Sequence, residues 1–175
     1  SETDEVIKTL EELLERIKRR VEELVKRNKD LIKALEEEVR RIIKESKKLI
    51  DDLAELAKEG VPKKDIEKIA RDLEKRDEEL LDRIRKLAEE LRRRSKKSLD
   101  EVRKIVRELE EEIDRRLSDK DKADRIREEI RKLEEEVKRL HDELKKELDD
   151  LLRRVEEDSK RTKERLRKLL TDVKK

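Results

Sequence analysis

No phenylalanine, tyrosine, tryptophan, cysteine or methionine occurs in this 175-residue chain, and glycine and proline occur once each. Evolved domains of this length nearly always carry aromatics and loop glycines, so the composition is that of an idealised object. Without cysteine there is no disulfide framework and no thiolate chemistry, which leaves the redox compartment open. With Gly60 standing alone there is no glycine loop to cradle a phosphate. Without rings there is nothing on which bases could stack, so Arg92-Arg93-Arg94-Ser95-Lys96-Lys97, flanked by Glu89, Glu90, Asp100 and Glu101, reads as a solvated face rather than a nucleic-acid patch. No apolar run approaches the ~18 residues that would span a bilayer. An excess of one charge is missing too: 54 Lys+Arg stand against 52 Asp+Glu, a net charge of +2. Divided at its breaks, no third of the chain departs from neutrality by more than two charges, which argues against nucleic acid or membrane as partner. The start, Ser1-Glu2-Thr3-Asp4-Glu5, is the reverse of a signal peptide. The expectation is a soluble chain with no targeting signal and no native compartment, cytoplasmic on recombinant expression.

What is present is charge, at 61% of residues, with 31% hydrophobic. Such a composition suits disorder unless the apolar residues are periodic. They are. Ile7, Leu14, Val21, Leu35, Ile42, Leu49 and Leu56 recur every seven residues, with Leu10, Ile17, Leu24 and Leu31 between them. This is an a/d seam. The second row then moves by one residue, to Ile32, Val39 and Leu53. The drift implies a mean period slightly above ~3.5, hence a nearly straight or weakly supercoiled packing.

Two places interrupt the pattern. At Lys58-Glu59-Gly60-Val61-Pro62, Gly60 suits the left-handed position past a helix end and Pro62 the first turn of the next helix. At Leu117-Ser118-Asp119-Lys120-Asp121, one of Ser118, Asp119 and Asp121 can accept from the first free N–H groups of a helix. Helices are therefore expected at about 3–59, 62–117 and 119–173, with loops near 60–62 and 117–120 and each helix roughly 80 Å long. The second seam comprises Ile66, Ala70, Leu73, Leu80, Ile84, Leu87, Leu91, Val102, Ile105 and Leu109. The third runs from Ala123, Ile126 and Ile130 through Leu133, Val137, Leu140, Leu144, Leu148, Leu151, Val155 and Leu166 to Val173. Short loops make neighbours antiparallel, so the fold class is all-α: a long up-down-up three-helix bundle, with residues 1–175 as one domain. Good helix formers and i,i+4 charge pairs favour a high melting temperature, above about 70 °C.

Polar residues interrupt the seams at Asn28, Ser46, Asp77, Ser95, Ser98, Ser159 and Thr162, with His141 at the edge. Folding the chain back near residues 61 and 119–120 sets Ser46 opposite residues 76 and 163, beside Asp77 and Thr162, with Ser159 one turn away. It sets Asn28 opposite residues 94 and 145, beside Ser95, and sets Ser98 opposite His141. Two layers result, each drawing on all three helices: Ser46/Asp77/Ser159/Thr162 and Asn28/Ser95/Ser98/His141. Buried polar groups are costly unless they satisfy one another, and a helix shifted by one turn would leave these unpaired. Their expected role is to enforce register and pairing.

Long aromatic-free seams, minimal loops and matched polar layers resemble those of de novo designed helical bundles with buried hydrogen-bond networks. That resemblance is one of style across the whole chain, and it implies engineered stability and pairing specificity with no catalytic or binding residues. Other chemistry finds little support. His141, in Lys138-Arg139-Leu140-His141, has no Glu three residues earlier and no second His or Cys with which to hold a metal. Asp77 lies about 30 Å along the bundle from His141, too far for a Ser-His-Asp triad. Glu110-Glu111-Glu112 and Glu134-Glu135-Glu136 point to different helical faces and interleave with Lys and Arg, so they are not acid/base pairs. The sequence thus predicts a designed structural scaffold, not an enzyme, that needs no cofactor and no partner. The alternative is a designed interaction module: one component of a homo- or hetero-oligomeric bundle, or a helix-capturing switch. Leu13, Val25, Ile32, Ile43 and Ile50 widen the first seam and leave self-association or a partner helix open.

Overall fold

A computed structural model describes residues 2–173, and side chains from residue 4 to 173. Among the described residues there are three helices: α1 (Glu2–Lys58), α2 (Lys63–Arg116) and α3 (Lys120–Asp172). Among the described residues there is no strand.

The helix ends follow from local chemistry. Gly60 has φ 92°, a left-handed conformation that side chains with a Cβ rarely adopt. The Val61 N–H donates to the Leu56 carbonyl at 3.2 Å and the Gly60 N–H to that of Ala57 at 3.4 Å, the paired bonds of a Schellman cap. Val61 and Leu56 both pack on the adjacent apolar cluster, which fixes the exit of the chain. Pro62 falls just before α2 rather than inside its first turn. Its carbonyl accepts from the N–H groups of Asp65 and Ile66, at 3.0 and 3.1 Å. At the second connection the capping residue is Asp119: its Oδ1 accepts from the N–H groups of Asp121 and Lys122, at 3.1 and 3.3 Å.

Two compact units divide the chain, Ser1–Leu31 with Leu91–Lys146, and Ile32–Glu90 with Glu147–Lys175. Each contains a segment of every helix. In the first, Lys18 pairs with Glu129 at 4.0 Å and Lys122 with Asp4 at 3.7 Å, so α1 and α3 run the same way. Arg127 pairs with Asp114, across antiparallel α2 and α3. Its core joins Leu10, Leu14, Ile17 and Val21 to Val102, Val106, Leu109 and Ile113, and to Ile126, Ile130 and Leu133. In the second unit the same up-down-up order is marked by Arg76–Glu45 (3.4 Å), Arg85–Glu156 (3.1 Å), Lys163–Glu78 (3.2 Å) and Arg165–Asp51 (2.7 Å). Ile50, Leu53, Ile66, Ala70 and Leu166 form a cluster there, and Ile84, Leu148 and Leu151 are fully buried. The all-α three-helix bundle anticipated from the periodicity is the fold.

The interior face differs from the expected seam in one respect. On α2, Leu87 and Ile105, core positions of the expected seam, are exposed, at 42% and 39%. Leu81, Ala88, Leu99, Val106, Ile113 and Leu117 are buried instead. The inward positions of α2 run 66, 70, 73, 77, 81, then 84, 88, 91, 95, 99, then 102, 106, 109, 113, 117. That series repeats every eighteen residues, five whole turns at 3.6 per turn, and a heptad reading drifts off it. The same step relates Leu14, Ile32 and Ile50 on α1, which makes Ile32 and Ile50 core residues rather than flanking ones. Val25 and Ile43 are half-buried. Leu31, expected inside, and Leu13, expected on the flank, are exposed and likewise eighteen apart.

Candidate functional site

The polar residues occupy fixed places in this eighteen-residue scheme. Leu10, Asn28 and Ser46 are equivalent on α1, Ile113, Ser95 and Asp77 on α2, and Ala123, His141 and Ser159 on α3. Each helix therefore spends one such position on an apolar side chain and two on polar ones, about 27 Å apart along the helix.

In the first unit, Ser95 is buried and His141 half-buried, and Ser95 Oγ lies 2.7 Å from His141 Nδ1. Which atom donates depends on the ring's tautomer, and in either case the bond joins α2 to α3. Ser98, expected opposite His141, is one turn off: its hydroxyl donates to the Arg94 carbonyl of its own helix at 3.0 Å. Its hydrogen bond is thus spent within α2. Asn28 is half-buried, and among the described residues none hydrogen-bonds its side chain. The anticipated four-residue layer is thus joined at one link, Ser95 to His141.

In the second unit, Asp77, Ser159 and Thr162 are all at least nine-tenths buried, and Ser46 is half-buried. Ser46, Asp77 and Thr162 line a cavity of about 20 Å³, room for one water-sized occupant, walled otherwise by apolar side chains and by Glu45 and Arg76. Asp77 Oδ2 and Ser159 Oγ have no hydrogen-bond partner. These residues share a neighbourhood without bonding one another.

One member escaped the sequence reading. Asp158 is as buried as Asp77, at 7% exposure. Burial pushes its carboxyl above the usual carboxylate range and the neighbouring Asp77 pushes it further, while Lys47 and Arg161 pull it back. The signal was available: Leu151, Val155, Asp158 and Thr162 follow each other at four-, three- and four-residue steps, so Asp158 shares the inward face.

The arrangement offers little to catalysis. Ser95 and His141 have the spacing of a nucleophile and its base, but Asp77 stands eighteen residues from Ser95 on α2, about 27 Å away along the helix. Among the described residues no group of three or more His, Cys, Asp or Glu side chains could hold a metal ion, and no helix is long and apolar enough to cross a membrane. No protein-family profile and no curated protein matches this chain. Among solved structures, the chain is similar to a "Computationally designed three helix bundle", with a TM-score of 0.46 and 16% identity over 98% of this chain and 85% of that one.

Proposed function

We infer that this chain is a designed structural scaffold, not an enzyme, whose polar core groups enforce the register and pairing of its helices, and that residues 1–175 unfold as one cooperative domain. It requires no cofactor, metal or partner for this role. The designed origin is supported by a composition with 61% charge, no ring and a single glycine at the one place that needs a left-handed residue. The register role is supported most by the Ser95–His141 contact at 2.7 Å, a bond between two helices that a slip of either one would break. Asp77, Asp158, Ser159 and Thr162 extend the reading. They form a buried polar group that any other pairing would press against apolar side chains.

A double-mutant cycle tests the role of the link. Ser95→Ala and His141→Leu should each lower unfolding free energy by about 1–2 kcal/mol, since each removes the bond between α2 and α3 and leaves its partner unpaired. The double variant should lose less than the sum, with a coupling of about 1 kcal/mol. Strict additivity in urea unfolding would count against the role of this pair.

A second reading, an interaction module that assembles with other helices or copies, is favoured by a specific observation. Leu13 and Ile105 are exposed along one groove between α1 and α2.

A further inference from the structure

Two grooves of the first unit differ in their lining. Between α1 and α3, a groove of about 340 Å³ is laced by charges of both signs, and Lys18 spans it to Glu129 at 4.0 Å. Between α1 and α2 lies a wider one, of about 530 Å³, that carries Leu13 and Ile105, each 39% exposed. Its rims differ in net charge: Arg16 and Arg20 line the α1 side, while Glu108, Glu111 and Glu112 line the α2 side together with Arg115. Among the described residues, none pairs with Arg16, Arg20, Glu108 or Glu111. Arg115, at the end of the same groove, pairs instead with Glu112 of its own helix.

We propose that this groove is the contact face between two copies of the chain, related by a two-fold axis parallel to the helices. The proposal deepens the second reading above and rests on it. A rotation about that axis brings the basic rim of each copy against the acidic rim of the other, so one operation satisfies both sets of unpaired charges at once. It also brings Leu13 and Ile105 of both copies into a single apolar layer. A two-fold axis across the helices would instead set arginine against arginine, and is disfavoured. A foreign helix could fill the groove only if it carried both charges in the opposite arrangement, which a second copy supplies without further assumption. The net charge of +2 adds little long-range repulsion between copies. A contact resting on one apolar layer and four charged side chains per copy is small, so the dimer is weak and salt-sensitive.

Sedimentation equilibrium of the intact chain from about 1 µM to about 1 mM tests this, a span that brackets weak association. The mass should rise with concentration from 21.3 kDa toward twice that value. Arg16→Glu with Arg20→Glu, and separately Glu108→Lys with Glu111→Lys, should each raise the dissociation constant at least about tenfold. All four substitutions together exchange the rims and should restore it to within about threefold. A monomer at every concentration overturns the proposal, as does a dimer that the rim variants leave unchanged. Failure of the four-fold variant to recover association overturns the parallel two-fold axis. All these positions are exposed, so circular dichroism should report unaltered helix content throughout. A helical monomer would sink the dimer and leave the scaffold reading intact, whereas loss of helix would strike the scaffold reading itself.

Discussion

Asp158 shows how a single residue carries opposing terms in this core. Its burial and the charge of Asp77 both raise its affinity for a proton; Lys47 of α1 and Arg161 of α3 act against them. The folded chain therefore holds this proton more tightly than the unfolded chain does. Its stabilising contribution is complete below the ordinary carboxylate range and is lost as pH rises through the raised value of the folded state. Asp158→Asn removes that dependence. The expected outcome is a gain on the order of 1 kcal/mol at pH 7, with a flatter stability profile between about pH 4 and 7, read from urea unfolding at several pH values. A variant less stable at neutral pH would mean that the carboxylate is paired in a way the surroundings of Asp77 do not suggest. The identity of this residue was legible in the step from Val155 to Asp158 to Thr162, but an aspartate in a chain so rich in charge draws no notice until its burial is known. Ser98 illustrates the converse. Its position pointed toward His141, yet a serine hydroxyl inside a helix has its own helix carbonyl within reach, and sequence alone does not rank the two partners.

At the scale of the element, ends were easier to read than faces. Gly60 and Asp119 announce a cap because each supplies something few residues can, a positive φ in one case and a short side-chain acceptor in the other. A Cβ built on Gly60 would meet nothing within 4 Å, so any penalty at that site is one of backbone conformation alone. Gly60→Ala should accordingly cost about 1 kcal/mol, measured by chemical unfolding, and a neutral result would show that the chain leaves α1 by another route. The faces were harder. Heptads and an eighteen-residue repeat agree over the first turns and then separate by about 20° per heptad, so a row that begins in the core ends outside it. Leu87 and Ile105 fall outside the core for that reason, and Leu81 and Val106, one residue on from heptad positions, lie inside it. The polar positions were legible because they break an apolar row. Their equivalence across repeats became visible only with burial in hand.

For the molecule as a whole, near-neutral charge and evenly mixed sign leave the apolar faces and the polar interruptions to decide which helices meet. An idealised chain of this kind should melt above about 70 °C. The one-domain proposal predicts a single calorimetric transition whose van't Hoff and calorimetric enthalpies agree, and two separate transitions would assign independent stability to the two units. The central claim, that buried polar groups select one pairing over others, calls for a readout of register rather than of stability. Spin labels at Lys48 of α1 and Lys75 of α2, both exposed, report the pairing of those helices within the second unit. Pulsed dipolar spectroscopy should give one narrow distance distribution for the parent chain. It should give a broadened or multiple one when Ser46, Asp77, Asp158, Ser159 and Thr162 are replaced together by alanine, valine and leucine. An equally narrow, unshifted distribution in that apolar variant would contradict the claim, because helix register would then be set without the polar groups.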